Sequence, residues 1–177
     1  GRLPAEPQAV FRKYDWTPAV PMVDLDGDGF FDLILAYSFL DKESMRKQII
    51  AKRLDLSLKF SFYRPDSGFP ATSDFQCVAG IHLDRQTLAF GWGQQDFFER
   101  FVQFTGDFNG DGRKDLLVRH HSDRVSIYFL GSRESGFSRN ADVKFDCPES
   151  IEWLEANDLN GDGVSDLVVK LDGKNVF

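Results

Sequence analysis

The chain is poor in the residue types that most often carry chemistry. Its 177 residues include two cysteines, Cys77 and Cys147, with no CxxC spacing. Two cysteines exclude a disulfide framework and leave room for one bridge at most. The three histidines, His82, His120 and His121, show no HExxH spacing, so no zinc-protease helix is present. His120-His121 follows a predicted strand and reads as a turn. GxSxG, Walker and GxGxxG loops are absent, and Gly91-Trp92-Gly93 is too short to stand for one. Lys and Arg number 21 against 28 Asp and Glu, a net charge of −7. That balance argues against a nucleic-acid partner, which needs basic patches. No apolar run is long enough to span a bilayer, and membrane contact is not expected. Gly1-Arg2-Leu3-Pro4 carries no signal-peptide pattern. The chain reads as non-catalytic and as cut from a longer precursor.

What is abundant is aromatic and acidic. Phe occurs 18 times and Gly 15 times, which leans toward β-structure. Ten Asp are concentrated in three copies of one twelve-residue string. The first runs Asp24-Leu-Asp26-Gly-Asp28-Gly-Phe30-Phe-Asp32-Leu-Ile-Leu35. The second runs Asp107-Phe-Asn109-Gly-Asp111-Gly-Arg113-Lys-Asp115-Leu-Leu-Val118. The third runs Asp158-Leu-Asn160-Gly-Asp162-Gly-Val164-Ser-Asp166-Leu-Val-Val169. Internal repetition at tens of residues indicates solenoids, propellers or arrays.

The spacing suits a hard cation. Ca²⁺ takes about six to eight oxygens. The first, third and fifth positions supply carboxylates or amides, and Gly at the fourth and sixth permits positive φ. The seventh position offers only its backbone carbonyl, so its side chain is free to vary: Phe30, Arg113 and Val164. The ninth supplies a closing carboxylate: Asp32, Asp115 and Asp166. Without a cation such converging groups repel. Three bound Ca²⁺ would bring the net charge of −7 close to neutrality. An EF-hand needs a Glu at the twelfth position and flanking helices. Leu35, Val118 and Val169 stand there, and strand-like runs follow, which excludes it. The dockerin module fails for the same lack of helices.

The string D-x-[DN]-G-D-G-x-x-D-L, flanked by strands, resembles the FG-GAP or VCBS-type repeat. Such repeats form propeller blades in integrin α-subunits and many secreted bacterial proteins. The resemblance implies loops that join the first two strands of a blade and bind up to three Ca²⁺. It also implies a secreted, cell-surface or periplasmic setting and a binding or adhesive role toward a protein ligand. A glycan ligand is the alternative, resting on the aromatic segment around Trp92.

The flanks repeat as well. Val20–Val23, Phe101–Phe104 and Ile151–Leu154 each precede a loop. Leu56–Phe62 and Val125–Phe129 alternate as third strands, and each leads to a Gly-Phe turn, Gly68-Phe69 and Gly136-Phe137. Cys77 and Cys147 follow at nearly the same blade position, which does not require them to touch. The expected fold is all-β, a single region of four-stranded antiparallel propeller blades at 19–80, 101–150 and 151–177. The loops stand 83 and 51 residues apart, and insertions near 41–53 and 81–100 fill the longer interval. The first reads as a short amphipathic helix or a hairpin with Met45, Ile49 and Ile50 on one face, and as a solvated insertion. The second, with Trp92 and Phe97, reads as packing between blades. Two blades and part of a third cannot close a ring of about four to eight. Either further chain or a partner completes it, or the sheets pack another way.

Overall fold

In the computed structural model the described residues are 22–38, 42–83, 100–171 and 174–176. They form three separate antiparallel sheets. The first holds β1 (Met22–Val23), β2 (Asp32–Tyr37), β3 (Arg53–Ser61) and β4 (Phe75–His82), in that order. The second repeats it with β5 (Val102–Gln103), β6 (Leu116–Arg119), β7 (Arg124–Tyr128) and β8 (Val143–Asp146). The third contains β9 (Ile151–Asn157), β10 (Asp166–Leu171) and β11 (Lys174–Val176). Each sheet is a meander whose first connection is one acidic loop. The chain is therefore mostly β, built of blade-like sheets, with no closed ring among the described residues.

The repeats superimpose in register. Leu33 lies opposite Ser61 in the first sheet, and Leu116 lies opposite Tyr128 in the second. By that alignment Cys77, opposite Leu58, stands two residues out of step with Cys147, which follows β8. Both thiols are free, and they belong to different apolar clusters. Burial holds the Cys77 thiol protonated, with its pKa pushed up to about 12.

Period-two alternation decides what each sheet buries. Leu54, Leu56, Leu58 and Phe60 of β3 are fully buried, while Arg53 and Asp55 on the other face are exposed and Ser57 and Lys59 half-buried. In β6 all four residues are buried, because a sheet lies on either side. Leu116 and Val118 join the cluster between the first and second sheets, and Leu117 joins the cluster between the second and third. Phe60 anchors the first junction. Its ring stacks on Phe75 at 4.6 Å and meets Phe104 and Phe137 edge-on at 5.6 and 5.1 Å. The Gly-Phe turn has a steric reason here. Gly136 has φ of 65°, and a Cβ there would stand 2.6 Å from the Phe75 ring.

The insertion after β2 is α1 (Lys42–Ala51), a helix rather than a hairpin. It ends at Lys52, whose φ of 50° is left-handed. The expected apolar face is not covered: Ile49 and Ile50 are 56% and 72% exposed. Strand β3 begins at Arg53, three residues earlier than the alternation at Leu56 suggested. Trp92 and Phe97, expected to pack between blades, lie outside the described residues.

Candidate metal centre

All three loops fold by one hydrogen-bond scheme. The first Asp faces inward and accepts three backbone amides. Asp24 Oδ1 accepts Gly27 N–H at 2.8 Å and Asp28 N–H at 3.1 Å, and Oδ2 accepts Gly29 N–H at 2.9 Å. Asp107 does the same toward Gly110, Asp111 and Gly112, and Asp158 toward Gly161, Asp162 and Gly163. The third residue, Asp26, Asn109 or Asn160, accepts the amide two residues on. The fifth, Asp28, Asp111 or Asp162, accepts the amide of the seventh. These are Asx turns, the local geometry that short carboxylates and amides favour. The fourth and sixth glycines carry φ between 74° and 89° in all three loops, a region costly for any residue with a Cβ.

The seventh side chains turn to other work. Phe30 packs on Tyr63 with centroids 5.4 Å apart. Arg113 donates to the Leu130 and Gly131 carbonyls. The Val164 methyl lies against Gly110. In the first loop one carboxylate oxygen each from Asp24, Asp26 and Asp28 lie within 4.8 Å of one another. Loops two and three have Asn109 and Asn160 at the third position, so each offers two carboxylates and one amide there.

The ninth Asp has a task that the string alone does not reveal. Asp32 Oδ2 accepts Leu25 N–H at 2.9 Å, and Oδ1 accepts Tyr63 N–H at 3.0 Å. Asp115 likewise accepts Phe108 N–H at 2.8 Å and Leu130 N–H at 2.9 Å. Each thus pins its own loop to the chain just beyond the third strand. Asp166 accepts Leu159 N–H at 3.0 Å. Burial pushes the Asp32 carboxyl up to about 6, the two amide bonds oppose the shift, and the Asp26 and Asp28 charges add to it. Asp115 is raised for the same reasons. A carboxylate offers about four lone-pair sites, so two amides do not exhaust it.

The loops also touch in series. Lys114 N–H donates to the Leu25 carbonyl at 2.7 Å, and Ser165 N–H to the Asp107 carbonyl at 2.6 Å. A Cβ on Gly27 would stand 2.6 Å from the Gly112 carbonyl oxygen. Sequence reasoning missed one participant altogether. Arg133, in the turn after β7, reaches back to the first loop. Its Nε donates to Asp26 Oδ2 and its Nη2 to Asp28 Oδ2, the latter at 2.5 Å. Nothing in the spacing of Arg133 distinguishes it from a surface residue.

The histidines gather elsewhere. His82 and His121 rings lie 4.8 Å apart. His120 joins the first and second sheets: its Nδ1 lies 2.6 Å from the Gly80 carbonyl and its backbone oxygen accepts His82 N–H. Tyr128 Oη lies 3.3 Å from His120 Nε2.

Repeated four-stranded sheets, each opened by an acidic amide-caged loop, define a blade-repeat protein. Residues 107–169 match the model of the FG-GAP-like repeat family. The matched stretch holds the second and third loops, and the first loop, outside it, repeats their hydrogen-bond geometry. No curated protein matches the chain. Among the described residues no helix is long and apolar enough to cross a membrane.

Proposed function

We propose that the chain is a calcium-stabilised, non-catalytic binding or scaffold module of a secreted or cell-surface protein, engaging a protein ligand. The observation that carries the calcium part is the threefold recurrence of one all-oxygen loop geometry, with three carboxylate oxygens within 4.8 Å in the first copy. An oxygen-only donor set in a flexible loop fits a hard cation better than a transition metal. Asp24, Asp26, Asp28 and Asp32 with the Phe30 carbonyl would hold the first ion. Asp107, Asn109, Asp111 and Asp115 with the Arg113 carbonyl would hold the second. Asp158, Asn160, Asp162 and Asp166 with the Val164 carbonyl would hold the third. A bound cation neutralises carboxylates that otherwise repel. The residues themselves supply the cage: the first Asp gathers three amides, and the ninth ties the loop to the sheet. Roughly 10⁻⁴–10⁻³ M affinity would suffice outside a cell. Because a ligand that binds only the folded state stabilises it, a chelator should lower the melting temperature and added Ca²⁺ should restore it. An unchanged melting curve would sink the proposal.

A second reading, glycan recognition, is favoured by one feature. A cavity of about 740 Å³ lies among β1, β5 and β9, and Trp153, 46% exposed, lines it beside Gln103, Glu155 and Asn157. An open indole ringed by amides and carboxylates suits a sugar face. Glycan-array binding that disappears in W153A would support this reading, and binding that survives would count against it.

A further inference from the structure

At their candidate ligand positions the first loop exceeds the other two by one carboxylate, and the structure places a cation where the difference falls. The first loop carries four carboxylates, Asp24, Asp26, Asp28 and Asp32, whereas the second and third carry three, with Asn109 and Asn160 in the place of Asp26. Arg133 pairs with Asp26 itself and with Asp28. Counting that guanidinium, the candidate ligand side chains of the first loop carry the same formal charge as those of the second and third. Among the described residues no ion pair reaches the acids of the second or third loop.

We infer that Arg133 is a built-in competitor for the first loop's cation: it lowers that loop's affinity for calcium below that of the other two and latches the loop when no ion is bound. This rests on the calcium reading above. The placement is well supported. Arg133 comes from a tight turn in which Gly131 N–H donates to the Gly136 carbonyl and Ser132 N–H to Ser135 Oγ at 2.7 Å. Arg113, from the second loop, clamps the base of that turn through the Leu130 and Gly131 carbonyls. The guanidinium carbon also sits 5.4 Å from the centroid of the Phe62 ring, a fully buried residue, where a cation over an aromatic face is favoured. The planar guanidinium donates one charge-assisted bond to each of two carboxylates. A divalent ion at those carboxylates either displaces the guanidinium or shares them with a positive charge. Both weaken binding, and both couple occupancy of the first loop to contact between the first and second sheets.

Calorimetric titration of the full chain with calcium chloride after chelation tests this. The parent should show one class of site weaker than the rest. R133Q should tighten that class by roughly tenfold or more, the scale expected for removing a unit charge a few ångströms from a divalent ion. R133K keeps the charge and should tighten it less. Adding Asp28→Ala to R133Q should abolish the tightened class. In chelator R133Q should melt lower than the parent, and its gain on adding calcium should be larger. A purely structural ion pair would lower the melting temperature and leave every affinity unchanged; equal affinities in parent, R133K and R133Q overturn the inference. A tightened class that survives D28A overturns it too. Absence of calcium binding in parent and variants alike overturns the calcium reading itself, and the inference with it.

Discussion

The two junctions between sheets are built from the same repeat yet differ in depth. Between the first and second sheets, Phe60, Phe62, Leu54, Leu56 and Leu58 are wholly buried, with Phe75 and Phe137 packed against them. Between the second and third, the cluster is smaller among the described residues, and Leu167 and Val169 of β10 are only partly covered. Among the described residues, Asp115 is fully buried and accepts the Phe108 and Leu130 amides, whereas Asp166 is partly exposed and accepts the Leu159 amide. A repeat motif sets the local form of a blade, while a neighbour on each face sets how firmly it is held. This is the nearest-neighbour energetics expected of repeat proteins.

The largest effect should come from the deeper junction. Phe60→Ala removes a ring that stacks on Phe75 and meets Phe104 and Phe137, and should cost about 3–5 kcal/mol in a denaturant melt. Leu154→Ala at the shallower junction should cost about 2 kcal/mol, near the low end for a large-to-small change. Equal losses at the two sites would dissolve the contrast.

Asp115→Ala, measured in chelator so that metal plays no part, orphans the buried Leu130 amide and the half-buried Phe108 amide and should cost about 2 kcal/mol or more. Asp166→Ala leaves a more exposed amide and should cost about 1 kcal/mol or less. A reversed order would mean that the third loop is held by something other than its burial. Hydrogen exchange sharpens the same comparison: amides of β10 should exchange faster than those of β6, because opening is easier where apolar cover is thin.

The smallest effect is pH-dependent. Burial lowers the pKa of His120 from its ordinary 6.5, and the Arg53, Arg124 and Lys144 charges add to the shift, against the raising influence of the Gly80 carbonyl. The unfolded chain therefore takes up this proton more readily than the folded one. Stability is retained above pH 6.5 and falls as pH drops below it toward the lower folded value. His120→Gln, which can still donate toward Gly80, should flatten the stability profile below pH 6.5. A profile unchanged by that substitution would remove His120 from the first junction's pH response.

Much of this protein is legible in its sequence because much of it is local. The Asp, Asn and Gly positions of each loop dictate Asx turns and positive φ within nine residues, and the structure returns the same bonds three times. The strands after each loop, Leu33–Tyr37, Leu116–Arg119 and Leu167–Leu171, were readable from β-branched and leucine runs. Insertions were harder. The 41–53 segment carries both helical and strand patterns, and α1 emerged with Ile49 and Ile50 uncovered, since apolar spacing marks a face without supplying a surface for it.

The sequence by itself determined the acidic loops, their glycines, the order of strands within a blade and the all-β class, because each depends on residues near one another along the chain. Only the tertiary structure decided which face of β6 meets which neighbour, that Asp32 and Asp115 pin the chain beyond the third strand, and that successive loops touch. It alone brought Arg133 to Asp26 across 107 residues of chain. Such contacts depend on how twisted sheets stack. Side-chain periodicity within any one strand says which residues are buried, and not what buries them.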